Sequence, residues 1–255
     1  MTALSLPILA ALALIGLVGG IGITAIGPGG VLPTIGLFAL TDLTPAQVAG
    51  TAIVTHIATG VVATAAYWRS GHLRAPATRR TAAILAGSAV LGTPVGVGIN
   101  DLVSPSGFGQ ALAVLLVVVA GLVWYRQRRT QQPASTTHPK QLTVALVGFA
   151  VACASGLVGV GGPMLTVPIL IALGVGVLES LAAAQVQSIV IAGVGTVGYM
   201  SAGAIDWPLA VLVGVPELIG VLLGWKLARM LPTRVLQRAL VIALLVLAPY
   251  LALHG

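Results

Sequence analysis

Apolar stretches of about twenty residues recur along the chain and restrict it to a membrane fold. Of the 255 residues, 58% are hydrophobic and only 7% are charged, whereas a soluble domain carries about 25% charged residues. A transmembrane helix needs about 20 apolar residues, and a backbone in lipid must satisfy its own hydrogen bonds. The first stretch has no basic residue before it, so we interpret it as a retained span rather than a secretory signal. The sequence predicts an all-α polytopic membrane protein.

Eight stretches are long enough to span a membrane, and two are shorter. The long ones are Leu6–Ile26, Ala46–Trp68, Ala82–Asn100, Gly107–Tyr125, Leu142–Val160, Leu178–Met200, Leu209–Trp225 and Val235–Leu253. Val31–Leu40 and Met164–Val175 each follow a glycine cluster and are too short for an untilted span. We therefore predict eight long transmembrane helices plus two short, broken or half-spanning segments. The polar segment 126–141 is a predicted cytoplasmic linker between an N-terminal repeat, 1–125, and a C-terminal repeat, 142–255.

The basic residues predict the orientation in the cytoplasmic membrane. All twelve Lys and Arg fall into three patches: Arg69, Arg74, Arg79 and Arg80; Arg126, Arg128, Arg129 and Lys140; and Lys226, Arg229, Arg234 and Arg238. The positive-inside rule makes all three cytoplasmic, and the loops with Asp101 and Asp206 then face outward. This segregation argues against a nucleic-acid partner, which the net charge of +7 alone would suggest.

The chain must then cross the membrane an odd number of times between the second basic patch and Asp206. Three crossings satisfy this if Met164–Val175 traverses the membrane. One crossing also satisfies it if 142–176 folds as a re-entrant hairpin. Both arrangements are compatible with the sequence.

An internal repeat appears when the chain is shifted by 132 positions. Residues 27–76 then align with 159–208 without a gap, and 12 of the 50 positions are identical. The loop after Tyr67 is basic, whereas the loop after the equivalent Tyr199 is acidic, so equivalent loops lie on opposite sides. This predicts an inverted repeat, the architecture of secondary transporters, whose binding sites lie near the midplane on broken helices.

Glycine clusters at equivalent places, 27–30 and 159–162, predict the helix breaks. The second cluster does not fit a dinucleotide fingerprint, which requires G-x-G-x-x-G between a strand and a helix. Glycine permits close approach and a positive φ, and freed amides at a half-helix N-terminus hold anions. A tight turn between packed helices explains the same residues, so both interpretations stay open.

Several motifs in both halves resemble one family. They are Gly159-Val-Gly161-Gly162-Pro163-Met-Leu-Thr-Val-Pro168, Tyr199-x-x-x-Gly203-Ala-Ile-Asp206-Trp207, Gly27-Pro-Gly-Gly30, Ala49-Gly50-Thr51 and Tyr67-Trp-Arg-Ser-Gly71. In this order they resemble the TauE/SafE sulfite exporters of bacteria and archaea. The resemblance implies export of sulfite or an organosulfonate. The chain departs from the family pattern at Pro163 and at Ala182-Ala-Ala-Gln185, so the substrate follows less firmly than membership.

Polar residues inside spans are functional candidates because they are costly in lipid. The repeat places Thr55-His56 opposite Gln187-Ser188, so two polar clusters would meet at the axis between the halves. Threonine and glutamine also bond helix to helix, and this structural role is the favoured interpretation for the threonines. The candidate substrate-binding residues are Gly29, Gly30, Thr51, Thr55, His56, Gly161, Gly162, Gln185, Gln187 and Ser188.

Glu217 follows Pro216 near the centre of a span with no Lys or Arg in its apolar part. It is a candidate for the coupling proton together with His56, or a structural partner of His56 or of a freed amide. A buried carboxylate needs a proton or a polar partner.

These features predict a secondary transporter that exports a small sulfur oxyanion, with proton coupling as an option. The alternative is transport of another small anion or metabolite. An intramembrane enzyme is the less favoured rival: Ser188 and His56 would be nucleophile and base, but the sequence shows no third orienting group. We expect no cofactor and no metal, because Cys153 is the single cysteine and no metal-ligand spacing occurs. Partners are the small anion and the lipid bilayer, and the sequence does not define an oligomeric state.

Overall fold

The computed structural model describes residues 4–25, 28–129 and 139–227. Those ranges contain nine α-helices and no strands. The helices are α1 Leu6–Ala25, α2 Val31–Leu40, α3 Pro45–Arg69, α4 Pro76–Asn100, α5 Pro105–Arg129, α6 Gln141–Val158, α7 Pro163–Ala172, α8 Val177–Ser201 and α9 Trp207–Leu227. Short 3₁₀ turns, Pro28–Gly30 and His72–Arg74, precede α2 and α4.

Seven of these helices are long and apolar enough to cross a membrane, and they match seven of the eight predicted long spans. The eighth, Val235–Leu253, lies outside the described residues and stays a prediction. The two predicted short segments are α2 and α7, each of ten residues. A helix of that length is about 15 Å long, half of the roughly 30 Å hydrocarbon core. The described part of the chain is a polytopic, all-helical membrane protein.

The helices extend beyond the apolar stretches that predicted them. Helix α4 begins at Pro76 rather than at Ala82, and its first turns include the polar Arg79 and Arg80. Hydropathy marks only the part of a helix that lies in lipid, whereas proline at the first helical position fixes the true start. Helix α3 begins in the same way at Pro45, behind a Thr44 capping box.

Two long helix pairs are held at close range by glycine. Helix α1 packs on α9, and α6 packs on α4. Gly20 lies directly against the backbone of Glu217, and Gly96 lies against the backbone of Cys153, so neither position has space for a side chain. Successive contacts advance together along both helices, which makes each pair parallel. Small residues at such contacts let helices approach closely in a membrane.

Helices α3 and α8 form the centre of the bundle. They run antiparallel, because Gly50 lies beside Tyr199 while Gly60 lies beside Ile189. Helix α3 also packs on α9, and α8 packs on α4. The packing pattern is therefore unchanged when the helices of the two halves are exchanged. The halves form one packed body rather than two separate ones.

Equivalent elements in the two halves have equivalent bounds. A shift of 132 positions moves α2 onto α7 and α3 onto α8 with both ends of each helix matched. Gly71 and Gly203, which the same shift relates, both adopt the left-handed conformation, with φ of 85° and 64°. Each lies just after the central helix of its half.

Both short helices fold back along the helix that precedes them. Gly36 of α2 lies against Ile15 and Leu12 of α1. In the second half, Val144 of α6, Leu170 of α7 and Ala182 of α8 belong to one hydrophobic cluster. Helix α7 therefore returns to the end of the bundle where α6 begins. Of the two arrangements that the sequence allowed, this geometry favours the hairpin, with α8 as the one net crossing before Asp206.

Acidic and basic loops lie at opposite ends of α3. The backbone N–H of Asp206 donates to Thr51 Oγ1 over 3.0 Å near the start of the helix. Asn100, next to Asp101, donates from Nδ2 to the Pro45 carbonyl at the same end over 3.5 Å. Arg69 ends the helix on the other side. The outer face between these ends is apolar, with Leu91, Val197 and Leu222 more than half exposed, which suits contact with lipid.

Candidate functional site

A small cavity lies at the middle of α3 and α8, where both half-helices begin. Its volume is about 10 Å³, which is space for roughly one water molecule. Nine of the described residues line the cavity. Three have apolar side chains, and the other six are Gly30, His56, Thr59, Gly161, Gln185 and Ser188. Five of these six were predicted site residues. The cavity therefore brings together both glycine breaks and the polar residues of both central helices.

The N-termini of α2 and α7 meet at this cavity. Gly30 and Gly162 are their N-cap residues, and neither helix end receives a side-chain cap. The first amides of a helix have no partner within it, and together they carry a partial positive charge. The breaks are thus tight turns and also two converging helix N-termini, so the two interpretations of the glycine clusters are compatible.

Close approach, rather than an unusual backbone, accounts for four of the break glycines, whereas Gly159 adopts a positive φ of 72° at the end of α6. Gly29, Gly30, Gly161 and Gly162 all lack a positive φ. A Cβ atom at Gly30 would lie 3.0 Å from His56 Cε1, and one at Gly161 would lie 3.1 Å from Ser188 Oγ and 3.6 Å from His56 Cγ. The imidazole ring of His56 is therefore bordered by the glycines of both breaks.

Glu217 contacts His56 from the side of Nδ1. The distance from Nδ1 to Glu217 Oε1 is 3.3 Å, and the residues are 1% and 0% exposed. A charge-assisted N–H···O bond measures about 2.7–2.9 Å, so this contact is longer. Within the described residues, His56 Nε2 and both carboxylate oxygens of Glu217 are buried without a hydrogen-bond partner. Glu217 does not line the cavity, whereas His56, which it contacts, is part of the cavity wall.

No charged side chain other than His56, when protonated, belongs to the cavity wall formed by the described residues. Among those residues, no group of three or more His, Cys, Asp and Glu that could hold a metal ion occurs. Gln185 and Ser188 are 3% exposed and line the cavity. The wall thus offers amide, hydroxyl and imidazole groups, which are donors suited to the oxygens of an anion.

Three predicted site residues have other partners. Gln187 ties three helices together, because its Oε1 accepts from Thr166 Oγ1 over 2.6 Å and its Nε2 donates to the Gly148 carbonyl over 3.1 Å. Thr51 accepts the backbone N–H of Asp206, and Thr55 donates to the Ala52 carbonyl over 2.9 Å. These three side chains do not line the cavity.

The two remaining glycines pack behind the cavity wall. Gly29 lies against the backbone of α1, and a Cβ at Gly162 would lie 3.3 Å from Gln187 Oε1. Their role in the geometry is to let the breaks approach neighbouring helices.

The cavity also contains residues that were not among the predicted site residues. Thr59 lines it, three positions after His56, and donates its own hydroxyl to the His56 carbonyl over 3.2 Å. The helical spacing of three from His56 is the signal that could have selected it over Thr55. Ile23, Pro163 and Met164 complete the wall, and nothing local distinguishes Ile23 and Met164 from other apolar residues.

Seven apolar helices around a buried polar cavity define a polytopic membrane protein, and the relatives of this chain are membrane transport proteins. The family model for the sulfite exporter TauE/SafE matches residues 12–251, so the chain belongs to the TauE/SafE family. It is also similar to the probable membrane transporter protein YdhB of Bacillus subtilis (strain 168), with 25% identity over 226 residues, which cover 87% of this chain and 91% of the relative. No solved structure matches the chain.

Proposed function

We propose that this protein is a secondary transporter that exports a small sulfur oxyanion, sulfite or an organosulfonate, across the cytoplasmic membrane. The observation that carries the proposal is the mid-bundle cavity between the uncapped N-termini of α2 and α7. Its wall contains His56 Nε2, which has no hydrogen-bond partner in the described part of the chain. Two helix ends and neutral donors attract an anion without a fixed Lys or Arg that would hold it tightly. The family name supports the choice of a sulfur oxyanion.

An inverted repeat supplies the conformational change in this proposal. Two observations support the inverted repeat. The equivalent helices α3 and α8 pack antiparallel, and the α1–α9 pair has its counterpart in the α6–α4 pair. In such transporters one repeat rocks against the other around a fixed midplane site. The cavity is smaller than an oxyanion, so movement of the halves must widen it for binding and release.

The basic loops face the cytoplasm in this proposal. The placement of Arg69 at one end of α3, with Asp101 and Asp206 at the other, agrees with the positive-inside rule. Export of an anion from a cell that is negative inside is favoured by about 2.3 kcal/mol per charge per 100 mV. A monoanion that leaves without a proton therefore does not require a second energy source, whereas one that leaves with a proton moves no net charge.

The predicted site residues divide into two roles. Gly30, His56, Gly161, Gln185 and Ser188 contact the substrate, because they line the cavity. A second set supports the walls through the contacts described above: Gly29, Thr51, Thr55, Gly162 and Gln187.

His56 and Glu217 carry the coupled proton in this proposal. Nδ1 and Oε1 are 3.3 Å apart, so one proton can reside on either side chain and offset the buried carboxylate, while Nε2 faces the substrate. The variant Glu217→Gln should lose flux driven by a pH gradient and keep counterflow exchange. Glu179→Gln removes the other carboxylate of the helices around the site, at the first turn of α8, and is the matched control. A parallel loss of both activities and of thermal stability in Glu217→Gln would instead assign Glu217 a structural role.

The enzyme alternative gains one feature and lacks another. Glu217 supplies the third, orienting group that the sequence did not reveal, in a Ser188, His56 and Glu217 arrangement. A nucleophile and its base normally share a hydrogen bond, yet His56 Nε2 has no partner in the described part of the chain. The geometry therefore favours a binding site over a catalytic one.

Flux into liposomes tests the function directly. Purified full-length protein is reconstituted and offered sulfite, sulfate, sulfoacetate, taurine and thiosulfate in turn. Saturable uptake of at least one, competed by unlabelled substrate, is the expected result. Failure with every compound, for protein that is monodisperse and shows cooperative thermal unfolding, would contradict the proposal. Uptake of an unrelated small anion alone would support the alternative substrate class.

A further inference from the structure

We infer that the cavity between α2 and α7 is matched to a substrate that carries one negative charge and discriminates against one that carries two. The inference rests on the proposed function and specifies its substrate class. It depends on the charges that surround the cavity, on the two helix ends that converge there and on the proton held by His56 and Glu217.

The two helix ends supply a positive charge of about one. Each helix N-terminus is equivalent to roughly half an elementary charge, and the N-caps of α2 and α7 have no side-chain oxygen to offset it. His56 is an independent sign of a ligand here, since Nε2 has no partner among the described residues, His56 is 1% exposed and its ring forms part of the wall.

The His56–Glu217 pair sets the remaining charge. With one proton the pair is neutral overall, whether as imidazolium with carboxylate or as imidazole with carboxylic acid. Together with the helix ends the site then carries about one positive charge, which balances a monoanion. Without the proton the site is near neutral, and a dianion needs a second proton on the pair. Binding of the anion and of the proton are therefore linked.

No other ionisable side chain faces this pair among the described residues of the packed helices. Helices α1, α2 and α7 contain no ionisable residue. Helices α3, α8 and α9 have further ionisable residues only near their ends, far from His56 and Glu217 along each helix. These residues are Tyr67 and Arg69 on α3, Glu179 and Tyr199 on α8, and Lys226 on α9. Cys153 lies on α6. The charge balance of the cavity is thus set by the helix ends and the pair.

A comparison of two sulfonates of similar size distinguishes the effect of substrate charge from that of substrate shape. Isethionate and sulfoacetate share a sulfonate on a two-carbon chain, but the first ends in a hydroxyl and the second in a carboxylate. Exchange is measured in proteoliposomes with equal pH on both sides and the membrane potential clamped at zero, so that charge acts only through binding. We expect the wild-type protein at neutral pH to prefer isethionate by at least about tenfold in apparent affinity, because the second charge is unbalanced in a buried site.

The variant Glu217→Gln tests whether the His56–Glu217 pair sets the charge balance of the cavity. Without the carboxylate, protonation of His56 raises the site to about two positive charges, so the preference for isethionate should be smaller at about pH 5 than at about pH 8. The control Glu179→Gln should keep the wild-type preference at each pH. Should Glu217→Gln fail to fold, the wild-type comparison still decides.

The outcomes distinguish the two proposals. Equal affinity of wild-type protein for isethionate and sulfoacetate, with saturable exchange of both, overturns the charge inference and leaves the transporter function standing. The proposed function itself is overturned if the protein exchanges neither isethionate nor sulfoacetate and also fails to transport sulfite, sulfate, taurine and thiosulfate. A preference in Glu217→Gln that does not change with pH overturns the role assigned to the pair.

Discussion

Replacement of Gly161 by alanine tests the cavity with a single methyl group. The backbone at this position has no positive φ, so alanine fits the local conformation. Its Cβ would lie 3.1 Å from Ser188 Oγ and 3.6 Å from His56 Cγ, inside a cavity of about 10 Å³. The methyl group thus occupies the space proposed for the substrate, beside two of the groups proposed to bind it.

The expected magnitude follows from overpacking. An extra methylene in a packed interior costs typically 1–3 kcal/mol. If the whole cost falls on the substrate-bound state, it weakens binding by about 5-fold to 150-fold. Part of the cost falls on the free protein, so we also expect a modest decrease in the temperature of thermal unfolding.

Gly193→Ala in α8 is the matched control, because a Cβ there meets no other atom within 4 Å. Alanine in a helix interior is favoured over glycine by about 0.5–1 kcal/mol, so this variant should keep its flux and unfold at the same or a higher temperature. The assay is substrate flux in proteoliposomes, with the thermal unfolding of both variants measured in detergent. Normal flux in folded Gly161→Ala would show that the substrate does not bind beside this glycine.

Three further predictions concern orientation and stability. In a protein whose native cysteine is replaced (Cys153→Ala), Asp101→Cys and Asp206→Cys should react with an impermeant thiol reagent from outside, and Ser70→Cys only after permeabilisation; the reverse pattern would contradict the proposed sidedness. Gln187→Leu leaves Thr166 and the Gly148 carbonyl without their partner, which should cost about 1–3 kcal/mol of stability and lower the unfolding temperature while substrate affinity in the remaining folded protein is kept. Gly220→Ala places a Cβ against the backbone of Leu17 and should lower the unfolding temperature, whereas Gly121→Ala, whose Cβ meets nothing within 4 Å, should not.

Local sequence signals located the breaks and the spans well. Val31–Leu40 has the bounds predicted for it, because the preceding glycines and the following Thr-Asp pair act on the backbone nearby. His56, Gln185 and Ser188 were selected by one rule, that polar groups in lipid need a reason, and all three line one cavity. Such signals depend on a residue and its immediate neighbours, so one sequence suffices to read them.

Contacts between distant helices could not be predicted in the same way. Thr55 and His56 are adjacent in sequence but about 100° apart around the helix, and only the packing of α3 decides which of them faces the cavity. Gln187 lay as close to the predicted axis as Ser188, yet it binds Thr166 and Gly148 instead. Ile23 reaches the wall from α1 because Gly29 lets the first break approach the backbone of α1 at this residue.

The site reconciles two opposing demands on a carrier. Buried polar atoms without partners cost roughly 1–3 kcal/mol each, and His56 Nε2 together with both Glu217 oxygens are such atoms within the described chain. A fixed Lys or Arg in the wall would have satisfied the carboxylate permanently and would have held an anion tightly. In the proposed mechanism the compensation is left to a proton and a substrate, both of which bind and dissociate. Since linkage is reciprocal, the substrate that benefits from the proton also increases the affinity for it, and this mutual dependence is what proton coupling requires.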